Sequence, residues 1–170
     1  MQERDNLVLI ILSGIPCAGK STWSDLMTGY FYLKYEAPVI IISRDTIREA
    51  KYGKNYVFSK EREDEVTKEF YKQLGVASTC RSAVVILDNT HCRESYIDKY
   101  LTIFKGMHDN KKMEIYVKFL DIPLWKAYIR NIWRKLRTGK WIPFKAINAM
   151  KANYDRIDRT KYKHLIPNDF

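Results

Sequence analysis

The chain has 170 residues, 46% of them hydrophobic, which is enough for one domain with its own core and excludes a disordered tail. Its three cysteines form no CxxC pair, which argues against a disulfide framework and a zinc site. Thirty lysines and arginines against twenty aspartates and glutamates give a net charge of +10, a balance typical of proteins with anionic partners such as nucleic acids and nucleotides.

Short apolar runs alternate with longer segments of helical spacing along the whole chain. The apolar runs are rich in Val, Ile and Leu, as is typical of strands buried on both faces. This alternation predicts a single α/β domain over residues 1–170, with a parallel sheet of four to five strands flanked by helices. The predicted strands are 7–12, 38–42, 83–87 and 114–120, and the predicted helices begin or lie at 20–27, 45–50, 59–73, 93–104, 124–136 and 143–156.

The loop after the first strand carries a phosphate-binding motif, because residues 14–21 match G-x-x-x-x-G-K-[ST] between a predicted strand and a predicted helix. Glycines let backbone N–H groups point at phosphate oxygens, and the helix N-terminus adds partial positive charge. Lys20 would reach the β- and γ-phosphates, and Ser21 would bind Mg²⁺. The motif predicts a P-loop NTPase-type sheet that binds ATP or another NTP with Mg²⁺. The predicted nucleotide-binding residues are Gly14, Ile15, Pro16, Cys17, Ala18, Gly19, Lys20, Ser21 and Thr22.

Two charged residues follow the second predicted strand, at the sheet edge where α/β proteins bind ligands. Asp45 and Arg48 are three residues apart, so a helical turn places them on one face. Asp45 could accept the proton of an attacking hydroxyl, and Arg48 could hold a phosphate of the acceptor. The alternative is an N-cap aspartate that forms a salt bridge on the helix surface.

The third predicted strand ends in Asp88-Asn89-Thr90, which places a carboxylate where P-loop proteins position Mg²⁺. We therefore assign Asp88 to the metal and, with Asn89, to the substrate side of the site. The alternative is a turn-forming Asp-Asn pair. His91 follows in the same loop, and we interpret it as a bystander without a partner.

An arginine-rich helix lies between the fourth strand and the last helix, where small P-loop kinases carry a mobile lid. Arg130, Arg134 and Arg137 share one helical face, and an arginine there could stabilise charge on a phosphoryl group in transfer. We place this helical lid at about residues 126–142. The region also holds three tryptophans, which we interpret as core anchors in preference to base-stacking platforms. They are Trp125, Trp133 and Trp141.

Taken together, these segments resemble the kinase domain of phage-type polynucleotide 5′-kinases, which belong to the adenylate-kinase-like group of P-loop kinases. The resemblance spans most of the chain in family order. Its motifs are Gly14-x-x-x-x-Gly19-Lys20-Ser21-Thr22-Trp23, Arg44-Asp45-x-x-Arg48, Asp88-Asn89-Thr90, Asp121-Ile122-Pro123, Arg130-Asn131 and Lys140-x-Ile142-Pro143.

The resemblance implies transfer of the ATP γ-phosphate to the 5′-hydroxyl end of DNA or RNA. It makes Asp45 the general base, Arg48 the ligand of the acceptor's 3′-phosphate, and Asp88 the residue that orders the acceptor site or the lid. It also implies that a lid arginine contacts the donor phosphates. Arg134 and Arg137 are both candidates for that role, since the segment before Pro143 is longer than in the family. We take both as catalytic with Lys20 and Asp45, and Arg130 as nucleotide-binding.

Two other functions use the same motifs. One is a small-molecule or nucleoside monophosphate kinase with the same P-loop and lid, and the other is a nucleic-acid-binding module that uses the P-loop as a switch. The apolar run at 7–12 is too short to span a membrane. We therefore expect no membrane partner and a cytoplasmic chain, in the host cytoplasm if a phage encodes it.

Overall fold

A four-stranded parallel sheet forms the centre of the described chain, in a computed structural model that describes residues 7–54 and 56–170. The strands are β1 (Leu7–Ser13), β2 (Val39–Ile42), β3 (Ala83–Leu87) and β4 (Glu114–Phe119). Their order is β2-β3-β1-β4, and all three strand pairs are parallel. The predicted α/β fold with a parallel sheet is confirmed.

Helices connect the strands, as the sequence pattern predicts, and several are longer than expected. The helices are α1 (Lys20–Tyr35), α2 (Arg44–Tyr52), α3 (Lys60–Ser78), α4 (Glu94–Asp109), α5 (Leu124–Thr138) and α6 (Phe144–Tyr154), followed by a 3₁₀ helix at Arg159–Leu165. Ser59 caps α3 as predicted, because its hydroxyl accepts from the Arg62 N–H at 3.3 Å. Within 7–54 and 56–170, none of the helices has the length and apolarity needed to cross a bilayer.

The core lies on both faces of the two central strands, β1 and β3, which are buried along their full length. Alternate side chains of a strand point to opposite faces. Leu7, Leu9 and Ile11 therefore pack into the larger cluster, which also holds side chains of α3, α4 and α6. Val8 and Ile10 face the smaller cluster around Phe31 of α1. The carboxyl ends of these central strands consequently provide a rigid base for the loops that follow.

The second strand differs from its prediction, because it is not buried on both faces. Of β2, only Ile42 is fully buried, and Ile41 is 37% exposed. The strand order explains this difference, since β2 pairs with β3 alone and forms one edge of the sheet. An apolar run of four isoleucines and valines does not by itself distinguish a central strand from an edge strand.

Candidate active site

The P-loop follows β1 and curls as its glycines predict. Gly19 has φ +97° and Cys17 has φ +63°, so both lie in the left-handed region that turns the backbone back on itself. Arg130 of α5 donates from Nη1 to the Cys17 carbonyl oxygen at 3.1 Å. The loop is thus held by its own backbone and by an arginine of the predicted lid, which places Arg130 beside the loop that we assign to the nucleotide.

Lys20 is buried at the start of α1, inside the P-loop. Its ammonium donates to the carbonyl oxygens of Gly14 at 3.0 Å and Ile15 at 2.9 Å. Burial lowers the pKa of Lys20, and the nearby Asp88 carboxylate opposes that shift. A partly dehydrated ammonium is well suited to binding phosphate oxygens, because its attraction to an anion is less screened than in water.

Ser21 and Asp88 meet at the carboxyl end of the central strands. Ser21 follows Lys20 directly, and Asp88 is the first residue after β3. The Ser21 hydroxyl donates to Asp88 Oδ2 at 2.6 Å. Burial raises the pKa of Asp88, while the bond from Ser21 lowers it. A hydroxyl and a carboxylate are ligand types that Mg²⁺ prefers, and Mg²⁺ commonly takes its other ligands from phosphates and water. The described residues hold no cluster of three or more His, Cys, Asp or Glu side chains able to bind a metal.

Hydrogen bonds fasten the loop after β3 to the end of β1 and to the first residue of the P-loop. The Gly14 N–H donates to the Thr90 carbonyl at 3.0 Å, and the Ser13 hydroxyl donates to the His91 carbonyl at 2.8 Å. The buried His91 ring lies 2.7 Å from the Leu12 carbonyl through Nδ1. The expectation that His91 has no partner is therefore wrong, because this residue joins the loop that carries Asp88 to the end of β1.

On the acceptor side, Asp45 and Arg48 of α2 form the ion pair that their spacing predicts, at 2.6 Å. Arg48 also donates from Nε and Nη2 to the two carboxylate oxygens of Glu63, at 2.7 and 2.9 Å. These bonds raise the pKa of Arg48 and lower that of Glu63 to about 2. Ser43, not Asp45, occupies the N-cap position of α2, so the N-cap alternative is wrong and the salt-bridge alternative is present.

Sequence reasoning missed Glu63 and Tyr56. Tyr56 donates from its hydroxyl to Glu63 Oε1 at 2.6 Å and so completes the group around Arg48. Glu63 is fifteen residues from Arg48 and lies on α3, so only the packing of α2 against α3 brings the two together. No local spacing signals such a pair, although an acidic residue in the first turn of a helix is itself a common pattern.

Asn89 supports α2 through its side-chain oxygen, which accepts from the Arg44 N–H at 3.0 Å. That N–H is one of the helix-terminal donors that would otherwise lack a partner. The Asn89 amide nitrogen is buried, and within the described chain no hydrogen-bond acceptor is placed on it. Asn89 therefore has a structural bond to α2 and a spare donor beside the cleft.

Two of the three lid arginines reach the site. Arg134 Nη2 lies 3.6 Å from Asp45 Oδ2, and Arg130 contacts the P-loop. Arg137 is exposed and does not line the cleft, so the structure does not bring it to the other predicted residues. Of Arg134 and Arg137, it is thus Arg134 that lies in the cleft with the other predicted residues.

The interpretation of the lid tryptophans as core anchors is wrong. Trp125, Trp133 and Trp141 are 59%, 57% and 39% exposed, and only Trp141 lines the cleft. The helix α5 packs through Ala127 and Asn131 instead, which are fully buried. A bulky aromatic ring at helical spacing does not reveal which face of a helix is turned to the core.

A side-chain clasp fixes the connection from α5 to α6. The buried Asn131 donates from Nδ2 to the Ile142 carbonyl at 2.7 Å and accepts from the Ile142 N–H at 3.2 Å. Lys140 of the same connection bonds to Glu49 of α2 at 2.9 Å. The connection is therefore tied both to α5 and to the helix that carries Asp45.

One open cleft of about 1440 Å³ gathers most of the predicted site. Gly14 and Ile15 are buried and do not line it. The cleft joins the P-loop, the metal-type pair and the acceptor side, an arrangement able to hold a donor phosphate and a hydroxyl acceptor together. The predicted residues that line it are Pro16, Cys17, Ala18, Gly19, Lys20, Ser21, Thr22, Asp45, Arg48, Asp88, Asn89, Arg130 and Arg134.

Several solved structures share this fold. A chain in the structure of the Pnkp1/Rnl/Hen1 RNA repair complex matches with a TM-score of 0.71 and 23% identity over 95% of this chain. Kti12 from Chaetomium thermophilum, solved in complex with ADP-AlF3, matches with a TM-score of 0.64 and 16% identity over 89% of this chain and 82% of its own. A putative kinase from Chloroflexus aurantiacus matches with a TM-score of 0.60 and 16% identity over 85% of this chain and 76% of its own.

The matched chains of the RNA repair complex are longer than this chain, and their sequences are distant from it. The present chain spans 47% of the matched chain in one structure of the RNA repair complex and 39% in another. All the identities quoted are below 25%, so the likeness shows a shared fold. The sequence model of a family described as an AAA domain, AAA_33, matches residues 9–157, which is most of the chain. The chain therefore belongs to the AAA_33 family.

Proposed function

We propose that this protein is an ATP-dependent polynucleotide kinase that transfers the γ-phosphate to the 5′-hydroxyl end of DNA or RNA. The observation that carries the proposal is the shared cleft, in which Asp45 lies across from the P-loop and within 3.6 Å of Arg134. A carboxylate, a phosphate-binding loop and an arginine in one cleft are the parts that phosphoryl transfer to a hydroxyl requires.

In the proposed reaction, the acceptor oxygen attacks the γ-phosphorus while Asp45 takes the hydroxyl proton. The bond from the γ-phosphorus to the β,γ-bridging oxygen breaks, and ADP leaves. Lys20 stabilises negative charge on the β- and γ-phosphates. Mg²⁺, held by Ser21 and Asp88, would neutralise charge on the phosphates. Arg134 lies 3.6 Å from the Asp45 carboxylate, and in the reaction its guanidinium would bind an oxygen of the transferred phosphoryl group instead.

Residues 126–142 act as the lid in this proposal, and Arg48 binds the acceptor. Arg48 keeps Glu63 on two of its nitrogens and offers Nη1, which now bonds to Asp45, to the acceptor's 3′-phosphate. The net charge of +10 favours a polyanionic acceptor. The shared fold with a chain of an RNA repair complex supports the same class by analogy.

The Glu63 pair favours a second candidate, a small-molecule or nucleoside monophosphate kinase. A guanidinium whose charge is already neutralised by a bidentate carboxylate binds a further phosphate less strongly. An acceptor that lacks a 3′-phosphate would suit this arrangement. Both candidates use the same donor side, so only the acceptor distinguishes them.

The decisive experiment offers labelled γ-phosphate from ATP to a panel of acceptors. The panel contains a 5′-hydroxyl DNA hexanucleotide, the matching RNA, a nucleoside monophosphate and a free sugar. We expect labelling of the hexanucleotides. Labelling of a mononucleotide or sugar alone would replace the first candidate with the second.

Asp45→Asn tests the role of the carboxylate. We expect transfer to fall at least 100-fold, because the amide cannot take the proton, while ATP binding is retained. Asp64→Asn is the control, since Asp64 is an exposed aspartate of α3 that does not line the cleft. Equal transfer by the two variants would remove Asp45 from the role of base.

A further inference from the structure

Two aromatic rings stand exposed at the acceptor side of the cleft. Phe58, in the connection from α2 to α3, is 74% exposed, and Trp141, in the connection from α5 to α6, is 39% exposed. Both line the same cleft as Asp45 and Arg48. Two exposed aromatic side chains at a polar cleft offer flat apolar surface to a ligand that binds there.

The Trp141 ring is held by contacts with its neighbours, and Phe58 lies between two residues that are hydrogen-bonded to α3. Trp141 packs on Phe144, with ring centroids 4.9 Å apart, and Lys135 Nζ lies 5.2 Å from the Trp141 ring centroid. On the other connection, Tyr56 is bonded to Glu63 and Ser59 caps α3, which fixes the short segment that includes Phe58. A ring that is positioned before binding, as Trp141 is, loses little conformational freedom when a ligand stacks on it.

Cations accompany the rings. Lys54, Lys140 and Arg48 line the acceptor side of the cleft together with Phe58 and Trp141. Lys140 is also bonded to Glu49 of α2, so the lid connection that carries Trp141 is attached to the helix that carries Asp45. Flat rings and cations in one cleft match the chemistry of a single strand, whose bases stack and whose phosphates pair with basic groups.

We propose that Phe58 and Trp141 form a stacking subsite for the nucleobases of a single-stranded acceptor. This inference rests on the proposed polynucleotide kinase function and names residues that would select a base-bearing strand. Stacking of a base on an aromatic side chain corresponds to roughly a tenfold change in affinity for each ring. A mononucleotide or sugar acceptor would not need both rings.

The experiment compares two acceptors that share every phosphate and the 5′-hydroxyl. One is a single-stranded hexanucleotide with a 3′-fluorescein, and the other is the same strand with tetrahydrofuran abasic residues throughout. Transfer kinetics and fluorescence anisotropy are measured for the wild type, Phe58→Ala, Trp141→Ala, Trp141→Phe and Trp125→Ala. Trp125→Ala is the control, because Trp125 is a more exposed lid tryptophan that does not line the cleft.

We expect the wild type to have at least a tenfold lower KM for the base-bearing strand than for the abasic one. Phe58→Ala and Trp141→Ala should each reduce that preference about tenfold with little change in kcat, and Trp141→Phe should largely restore it. Equal KM values for the two strands in the wild type, or an equal loss in Trp125→Ala, would overturn the subsite. Absence of transfer together with base-dependent binding would overturn the proposed activity and leave the subsite standing.

Discussion

At Gly14 the P-loop has no room for a side chain. A Cβ at this position would lie 2.9 Å from the Leu120 backbone oxygen, and the Gly14 N–H is bonded to Thr90. Gly14→Ala must therefore displace either the loop or the end of β4. We expect the free energy of unfolding to fall by about 1–3 kcal/mol and ATP affinity to fall with it. Urea unfolding and titration with a fluorescent ATP analogue measure the two effects.

Gly75→Ala is the matched control for that substitution. A Cβ at Gly75, inside α3, would meet nothing within 4 Å. Alanine is a better helix former than glycine, so this variant should gain about 0.5–1 kcal/mol and bind ATP normally. A similar loss of stability in both variants would contradict the steric explanation for Gly14.

His91 makes the fold sensitive to mild acid. Burial lowers the pKa of His91 to about 4 in the folded state, below its ordinary value of 6.5. The unfolded chain therefore binds a proton at a higher pH than the folded chain, and stability is lost as pH falls from 6.5 towards 4. Between pH 7.5 and 5.5 we expect the free energy of unfolding to fall by about 1 kcal/mol from this residue alone.

The control for His91 is a residue of similar polarity that does not titrate. His91→Gln should be less stable than the wild type at pH 7.5, because it disrupts the contacts to Leu12 and Tyr100. Its stability should nevertheless change less between pH 7.5 and 5.5. Denaturant unfolding at the two pH values measures both slopes, and parallel slopes would show that His91 is not the titrating group.

At the level of elements, the clasp from Asn131 to Ile142 holds the connection from α5 to α6. Asn131→Ala removes both bonds to the Ile142 backbone, and we expect a loss of about 1–3 kcal/mol in the free energy of unfolding. The acceptor KM should rise as well, since Lys140 and Trp141 immediately precede Ile142. Thermal and urea unfolding with acceptor kinetics test this, with Asn153→Ala of α6 as the control. A normal KM would show that the connection holds its shape without the clasp.

Local patterns in the sequence predicted much of the fold and the donor side. These features depend on residues that are close in sequence, so local patterns can indicate them. They are the P-loop spacing, the apolar strands and the polar residues at strand ends. The pairing of Glu63 with Arg48 and of His91 with Leu12 depends on packing between distant segments. The 3₁₀ helix at Arg159–Leu165 was not predicted, because its sequence lacks apolar residues at α-helical spacing.

Burial was the other property that local patterns did not give. The apolar run of β2 does not reveal that the strand lies at the edge of the sheet, because that follows from the strand order. Tryptophan is a residue type that often packs in a core, yet Ala127 and Asn131 form the buried face of α5. Both errors have one cause. The type of a residue indicates how much free energy its burial would contribute, but not whether another element of the fold packs over it.

For the whole molecule, the net charge of +10 predicts a steep salt dependence for an acceptor strand. Each phosphate contact releases counterions, so a strand held at four phosphates should bind roughly 50-fold more weakly at 200 mM than at 50 mM salt. ATP affinity should change far less, because the P-loop binds a short ligand through backbone groups. Parallel salt slopes for the hexanucleotide and ATP would argue for a mononucleotide-sized acceptor.

The donor and acceptor halves of the cleft are attached to different parts of the sheet. The P-loop and Asp88 follow the buried strands β1 and β3, whereas Asp45 follows the edge strand β2. Phe58 and Trp141 belong to surface connections, outside the two core clusters. On the proposed kinase function, randomising residues 56–58 and 139–142 would therefore vary the acceptor surface while leaving the residues of the nucleotide site unchanged. Selection from such a library would show whether the proposed phosphoryl transfer can be directed to other hydroxyl acceptors on the same fold.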